Sequence, residues 1–271
     1  MLEMLSTMFS YQFMVRALIV GVLVSLCAAL LGVSLVLKRY SMIGDGLSHV
    51  GFGALAVATA LGMAPMAVTI PVVVAAAFLL LRLSSTGRLK GDAAIAMIST
   101  GALAVGVIVL SLSTGMTSDV NNYLFGSMLA MSEGDVSLSV VLGAVVLTLF
   151  VLFYRRIFAV TFDETFARAT GGHAEACNML LALLTAVTIV LGMRVMGTML
   201  ISSLIIFPAL TAMRVCRSFK SVTLCAAVVS VICFFVGLCA SYLLSTAAGA
   251  TVVVANILAF VIFAAAGRLR G

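Results

Sequence analysis

Long apolar runs separated by short polar connections fill almost the whole chain. Nine runs of about 18–26 residues can be distinguished, at 12–37, 42–62, 65–83, 92–113, 136–154, 176–193, 195–214, 221–245 and 250–267. Each is long enough for a helix to cross the roughly 30 Å hydrocarbon core of a bilayer. Polar residues do not alternate with apolar ones inside the runs, which excludes a transmembrane β-barrel. The pattern predicts an all-α, polytopic integral membrane protein with a single domain over residues 1–271.

The least certain boundary lies between the sixth and seventh runs. Only Arg194, with Gly192 and Gly197 on either side, separates these two runs. A tight turn at this point gives nine transmembrane helices, whereas a broken or re-entrant helix gives eight. We predict the tight turn and therefore nine spans.

Composition supports the membrane assignment, and the motifs that are missing from the sequence argue against catalysis by this chain. Hydrophobic residues make up 64% of the sequence and charged residues only 9%, with a mean hydropathy of +1.32. Soluble proteins carry about 25% charged residues. The six cysteines lie in or beside apolar runs without a CxxC motif, which is typical of packing residues. The sequence contains no P-loop, HExxH or GxSxG motif, so we expect no enzyme activity in this chain. If it takes part in active transport, the energy comes from another subunit or from an ion gradient.

The basic residues predict the orientation in the membrane. In a nine-span topology, all of the 15 basic residues except Arg16 and Arg194 fall on one side. By the positive-inside rule that side is the cytoplasm, so the N-terminus lies outside and the C-terminus inside. The net charge of +6 is spread over five connections and forms no stripe. It therefore indicates topology and not nucleic-acid binding.

Two connections are longer than a turn. The outer connection, 113–135, has acidic residues and no basic one, and its middle, 123–131, is too short to span and predicts a re-entrant or surface helix. The inner connection, 155–175, predicts a short helix capped by Thr161 or Asp163. In that helix Glu164 lies near the start, Arg168 near the end, and Gly171 ends it. Phe162, Phe166 and Ala169 share one side, so the helix could dock in a groove of a partner.

The second apolar run contains the strongest candidate for a functional site. Asp45 and His49 are four residues apart and so share one face of a helix. A carboxylate and an imidazole on one face can bind a divalent cation together. Ionisable groups in a membrane segment are costly, and are therefore functional candidates by default. Two ligands are too few for tight binding, which suits a site that must also release its ion.

An alternative interpretation gives this pair a structural role. Asp45 could pair with Lys38 or Arg39, and His49 could be a hydrogen-bonded packing residue. If the pair does bind metal, the imidazole must be neutral, and transport should weaken as His49 becomes protonated. Elsewhere in the spans, Pro208 predicts a helix kink that frees a backbone carbonyl.

Four stretches carry a resemblance to a known family: 37–56, which contains Asp45 and His49, then 122–129, 162–171 and 197–212. On these stretches the chain resembles the permease subunit of ABC-type zinc and manganese uptake systems, the ZnuB, MntB and TroC-like permeases. The resemblance covers essentially the whole length. Two departures are Phe207, where the family often has Leu before the Pro, and the lack of a His-rich outer loop.

The resemblance implies partners and roles. It implies a homodimer in the bacterial cytoplasmic (inner) membrane, bound to two cytoplasmic ATPase subunits and served by an extracytoplasmic metal-binding protein. Asp45 and His49 would form the metal site of the pathway. The coupling segment in the ATPase cleft would comprise Phe162, Asp163, Glu164, Phe166, Ala167 and Gly171. We expect no permanently bound cofactor, and Zn²⁺, Mn²⁺ or Fe²⁺ as the transported ion.

Two other function classes compete with ATP-driven import. A gradient-driven metal transporter or channel would work without an ATPase, but such proteins usually need more intramembrane acidic residues or an internal repeat. A membrane-embedded enzyme would need a second catalytic group to act with His49. The residues themselves do not choose among zinc, manganese and ferrous iron, because an Asp and a His suit all three.

Overall fold

The computed structural model describes residues 10–85, 91–113, 133–170 and 172–269. All regular secondary structure in these ranges is helical, in the order α1 (Gln12–Leu37), α2 (Ile43–Ala60), α3 (Pro65–Ser85), α4 (Gly91–Leu112), α5 (Glu133–Phe162), α6 (Glu164–Ala169), α7 (Ala174–Met196), α8 (Thr198–Met213), α9 (Phe219–Leu244) and α10 (Ala248–Leu269). Within the described ranges, seven of these helices are long and apolar enough to cross a membrane. The prediction of an all-α, multi-pass membrane protein is confirmed.

Helices α2 and α8 differ from the other long helices. Helix α2 has 18 residues and carries Asp45, His49 and four glycines, which lower its hydropathy, and α8 has only 16 residues. A 16-residue helix is about 24 Å long, shorter than the hydrocarbon core. Both helices are nevertheless buried along most of their length in the protein interior.

The bounds of most helices lie within about three residues of those predicted, but α5 is a clear exception. The hydropathy pattern predicted a span over 136–154 followed by a cytoplasmic connection from 155. Instead, α5 has 30 residues and continues through Arg155 and Arg156 to Phe162. Arginine is a good helix former, so the helix continues after the apolar run has ended. The first eight residues of the predicted 155–175 segment therefore belong to α5. Residues 114–132, which include the predicted re-entrant helix, lie outside the described residues.

The bundle has a buried centre and a lipid-facing periphery. In the most apolar 18-residue stretch of α1 and of α7, 67% of residues are buried in the protein, against 17% in the corresponding stretch of α10. The outward faces of α4, α5, α9 and α10 carry exposed Val, Leu and Ile side chains, as expected for a surface in contact with acyl chains. Helices α1, α2, α7 and α8 thus form the core, and any pathway for a polar solute must pass along them or between them and a neighbour.

Glycines allow the core helices to approach closely. A Cβ at Gly32 of α1 would lie 2.0 Å from the carbonyl oxygen of Ile205 in α8. A Cβ at Gly53 of α2 would lie 2.5 Å from the carbonyl oxygen of Ala102 in α4, and one at Gly106 would lie 2.9 Å from the Cα of Gly53. Backbone contacts of this kind require small residues. They hold α1 against α8 and α2 against α4.

The chain reverses direction between α7 and α8. Lys38, at the end of α1, contacts both Glu164, the first residue of α6, and Asn178, near the start of α7. Phe162, the last residue of α5, packs on the first residue of α9, with ring centroids 5.8 Å apart. The start of α7 and the connection from α8 to α9 are therefore at the same end of the bundle. Gly197, with φ of 83°, is the single residue between the two helices. This geometry agrees with a tight turn.

Candidate metal site and coupling helix

A compact connection sets the start of α2 directly beside the end of α1. Arg39 adopts a left-handed backbone conformation, with φ of 62°. The amide of Tyr40 donates to the carbonyl of Leu35 at 2.8 Å, and the amide of Ile43 donates to the carbonyl of Tyr40 at 3.0 Å. Asp45 consequently lies in the first turn of α2. A carboxylate is favoured there by the positive end of the helix dipole.

Asp45 and His49 face the same cavity. The Nε2 atom of His49 lies 3.7 Å from Oδ2 of Asp45, and their side chains are 24% and 45% exposed. This separation is too long for a hydrogen bond. It nevertheless suits two donors that share one cation, since each metal–ligand bond is about 2.0–2.2 Å long. The cavity is about 280 Å³ in volume, and Met42 also lines it from the α1–α2 connection.

Helices α4 and α8 supply the remaining polar groups around the pair. Ser99 and Thr100 of α4 line the cavity opposite Asp45. From α8, the hydroxyl of Ser202 donates to Oδ1 of Asp45 at 3.4 Å, which leaves Oδ2 on the side of His49. None of these three hydroxyls was predicted from the sequence as part of the site. Hydroxyls are common in membrane helices and usually bond to their own backbone, so the sequence carries little signal for them.

The structural alternative for the pair concerns its contacts with neighbouring basic residues. Among the described residues, no lysine or arginine forms an ion pair with Asp45, and Lys38 bonds to Glu164 and Asn178 instead. The Nδ1 atom of His49 is buried and has no hydrogen-bond partner in the described part of the chain. A packing histidine normally satisfies both ring nitrogens. The two side chains are therefore held together without being neutralised by a basic neighbour.

The pair alone does not make a complete metal centre. In the described ranges, no group of three or more His, Cys, Asp or Glu residues comes together. Zinc is usually bound by four ligands and manganese by more. Hydroxyls, backbone carbonyls, water or another chain must therefore complete the coordination of any ion held by Asp45 and His49.

The predicted short helix is present as α6, with the expected cap. Oδ1 of Asp163 accepts a hydrogen bond from the amide of Phe166 at 2.8 Å. Ala167 is buried against the bundle, whereas Phe166 is 64% exposed and Phe162 is also exposed. The helix ends at Ala169, and Gly171, the predicted stop, lies outside the described residues. Two apolar aromatic side chains are thus exposed near the polar end of the bundle.

Glu164 anchors α6 to the bundle. Its Oε1 atom accepts from Arg168 at 2.6 Å, and its Oε2 atom accepts from Lys38 at 3.3 Å. Partial burial raises the pKa of the Glu164 carboxyl. The hydrogen bond with Asn178 and the charge of Lys38 outweigh that effect, so the pKa lies below its ordinary value. Glu164 is thus ionised at neutral pH, and its contribution to stability is lost only as the pH falls through this lowered pKa.

Pro208 lies inside α8, which continues from Thr198 to Met213. The ring of the preceding Phe207 packs edge-on against Phe260 of α10, with centroids 6.3 Å apart. The predicted kink and its role in the pathway stay predictions.

A helical bundle of membrane-crossing length, with a polar pair facing a cavity from a core helix, is the architecture of a multi-pass membrane protein. The family model described as ABC 3 transport family matches residues 10–267. The chain belongs to this family.

Several relatives are similar over nearly the full length. The chain is 30% identical over 252 residues to the high-affinity zinc uptake system membrane protein ZnuB of Haemophilus influenzae, covering 93% of this chain and 97% of the relative. It is 28% identical over 260 residues to the manganese transport system membrane protein MntC of Listeria monocytogenes, with coverages of 96% and 92%. Among solved structures, PsaBC from Streptococcus pneumoniae in complex with Fab aligns with a TM-score of 0.86 at 28% identity, covering 96% of this chain and 94% of that chain. The resemblance to metal-uptake permeases is confirmed.

Proposed function

We propose that this chain is the permease subunit of an ATP-driven importer of divalent transition metal ions, with Asp45 and His49 as ligands in the pathway. The observation that carries the proposal is the geometry of this pair. A carboxylate and an imidazole face one cavity, 3.7 Å apart, and the nearby Lys38 does not neutralise the carboxylate. The names of the relatives, which include zinc and manganese transport proteins, support a divalent metal as substrate.

The chemistry of the pair suits a transient site. Asp45 contributes a negative charge that lowers the cost of bringing a dication into the membrane region, and His49 contributes a neutral nitrogen donor. Because only two strong ligands come together among the described residues, the ion is held weakly enough to be released when the neighbouring helices rearrange. Zinc, manganese and ferrous iron all remain acceptable to this donor set.

The proposed topology has nine spans, with the N-terminus outside and the C-terminus in the cytoplasm. Two groups of contacts support it. Basic Lys38 lies at the same end of the bundle as α6, and the backbone of Arg214 lies against Gly267 near the C-terminal end of α10. At the opposite end of α1, Arg16 pairs with the acidic Glu133 at the start of α5. Helices α2 and α8, although short, would complete the spans from the core of the bundle.

The proposed partners follow from the family and from exposed surfaces. Cytoplasmic ATPase subunits would bind α6, where Phe166 and Phe162 form the exposed apolar patch and Asp163, Glu164 and Ala167 hold the helix in place. An extracytoplasmic metal-binding protein would deliver the ion, and a second copy of the permease would complete the transporter. This arrangement leaves ATP hydrolysis to the partner subunits and gives this chain the transport pathway.

The test is ATP-dependent metal uptake by the assembled complex in proteoliposomes, measured for Zn²⁺, Mn²⁺ and Fe²⁺ in competition. Asp45→Ala and His49→Ala should each abolish uptake while the variant permease still co-purifies with the ATPase. Thr148→Val is a matched control, because Thr148 is exposed on α5 and bonds only to its own helix, at the carbonyl of Ala144. Uptake at the wild-type rate in either site variant would refute the site. Uptake by the purified permease alone, driven by a proton gradient, would refute the ATP-driven mechanism.

A further inference from the structure

Lys38 is a charged residue almost entirely buried at the polar end of the bundle. Its side chain is 8% exposed, and it is the C-cap residue of α1, directly after Leu37. A buried ammonium is stable only when hydrogen-bond partners replace the lost water. Lys38 has two: its Nζ atom donates to Oε2 of Glu164 at 3.3 Å and to the side-chain oxygen of Asn178. Lys38 thus joins three helices, α1, α6 and α7.

Glu164 connects this network to the surface of α6. It also accepts a hydrogen bond from Arg168, one turn further along the same helix. The adjacent Asp163 caps the helix, and Phe166 is exposed beside it. A partner that binds Phe166 and moves α6 must therefore also move the carboxylate that Lys38 holds.

The other side of Lys38 leads directly to the candidate metal site. Seven positions separate Lys38 from Asp45, and backbone hydrogen bonds stiffen this connection from both ends. The amide of Lys38 donates to the carbonyl of Ser34 at 3.0 Å, and the amide of Gly46 donates to the carbonyl of Met42 at 3.0 Å. Met42 itself lines the cavity that Asp45 and His49 face. A displacement of Lys38 is thus passed on to the first turn of α2 and is not absorbed by a slack loop.

We infer that Lys38 is a positioning residue that transmits movement between α6 and the first turn of α2, and so links the ATPase-binding surface to the metal ligand Asp45. This inference rests on the proposed function and deepens it. It predicts that the Lys38–Glu164 contact matters for coupling and not for binding the ion or for hydrolysing ATP.

The variant Lys38→Met removes the charge of Lys38 with little effect on packing, and so separates a positioning role from a purely structural one. Buried ion pairs often contribute little net stability, because desolvation offsets the attraction between the charges. Methionine has a similar length and no charge, so Lys38→Met retains most of the packing volume. Glu164 is left with Arg168 and remains partly exposed, so it is not stranded as a buried charge.

The experiment measures metal delivered and ATP hydrolysed in proteoliposomes that hold the full complex. For Lys38→Met we expect co-purification with the ATPase and an ATP hydrolysis rate within about twofold of wild type, but a metal-to-ATP ratio lower by roughly tenfold. The control is Lys220→Met, an exposed lysine near the start of α9 at the same end of the bundle, which should keep the wild-type ratio. Lys38→Arg should restore most of the ratio, because it keeps the charge and the donors.

A double variant tests the contact itself. Glu164→Gln should lower the ratio as Lys38→Met does, and the double variant should be no worse than either single variant, since both remove one shared contact. A wild-type ratio in Lys38→Met, an equal loss of uptake and ATP hydrolysis, loss of assembly, or additive losses in the double variant would each overturn the inference. If the wild-type complex itself moved no metal, the proposed function would fail, which is a separate outcome.

Discussion

Two polar regions lie within a short distance along the chain, and they differ in how their charges are satisfied. Around Lys38, three charged groups are paired with one another: Lys38 bonds to Glu164 and Asn178, and Glu164 also bonds to Arg168. Around Asp45, the contacts of the carboxylate within the described ranges are a weak one to a hydroxyl and an imidazole beyond hydrogen-bond distance, and both side chains face a cavity. A satisfied network resists change and can transmit movement, whereas an unsatisfied pair has ligand positions left for a substrate.

The largest expected effect comes from removing the charge of the unsatisfied pair. Asp45→Asn keeps the size of the side chain but loses the negative charge that compensates a dication. We expect uptake to fall by at least about 100-fold, because a charged ligand in a membrane region has no substitute nearby. Thermal unfolding of the purified variant should match wild type, since Asp45 has few stabilising contacts to lose. An unfolding temperature clearly below wild type would show that Asp45 belongs with the satisfied, structural groups.

A second prediction concerns the packing that sets α2 in place. Gly53→Ala adds a Cβ 2.5 Å from the carbonyl oxygen of Ala102, which must force α2 and α4 apart. We expect a loss of about 1–3 kcal/mol in stability and reduced uptake. Gly101→Ala is the matched control, since a Cβ at Gly101 meets no atom within 4 Å. That variant should be neutral or slightly stabilising, because alanine is the better helix former. Equal stability of the two variants would contradict the close approach of α2 and α4.

Much of this fold follows from the sequence because the membrane imposes a simple rule. Apolar runs of sufficient length must form helices in lipid, so the cores of the long helices coincide with the predicted runs. The apolar run at 136–154 did not predict where α5 ends, because hydropathy reports where lipid contact ends. The helix itself continues beyond that point through Arg155 and Arg156. The Asp163 cap was predictable, since its interaction with Phe166 is local.

The contacts that distinguish the two polar regions were not predictable in the same way. Asp45 and His49 share a helix turn, so their spacing alone brings them together. Lys38 and Glu164 are 126 positions apart, and nothing in their local sequence pairs them. The pattern left Lys38 as an available partner for Asp45. Only the packing of α1 against α6 and α7 shows that Lys38 is already bonded elsewhere.

A third prediction tests the exposed end of the satisfied network. Phe166→Ala removes an exposed apolar side chain from α6 without disturbing Glu164 or the cap at Asp163. We expect affinity for the ATPase to fall by about tenfold, as is typical for loss of an aromatic anchor at an interface. Met97→Ala is a suitable control, because Met97 is similarly exposed but lies on α4, away from α6. Co-purification at fixed detergent and protein concentration measures the difference. If Phe166→Ala recovered as much ATPase as wild type, α6 would not be part of the surface that binds the ATPase.

The smallest expected effect comes from a hydroxyl that contacts the side-chain carboxylate of the unsatisfied pair. Ser202 donates to Oδ1 of Asp45 at 3.4 Å, a long hydrogen bond that orients the carboxylate without satisfying it. Ser202→Ala should raise the metal concentration for half-maximal uptake by about two- to fivefold, since a hydrogen bond to a charged group is weak at this length. Ser203→Ala is the matched control, because the adjacent hydroxyl is buried without a hydrogen-bond partner among the described residues. It should leave that concentration unchanged. A loss of uptake with Ser202→Ala as large as that with Asp45→Asn would mean that Ser202 binds the ion directly. The pair would then have fewer free ligand positions than its contacts indicate.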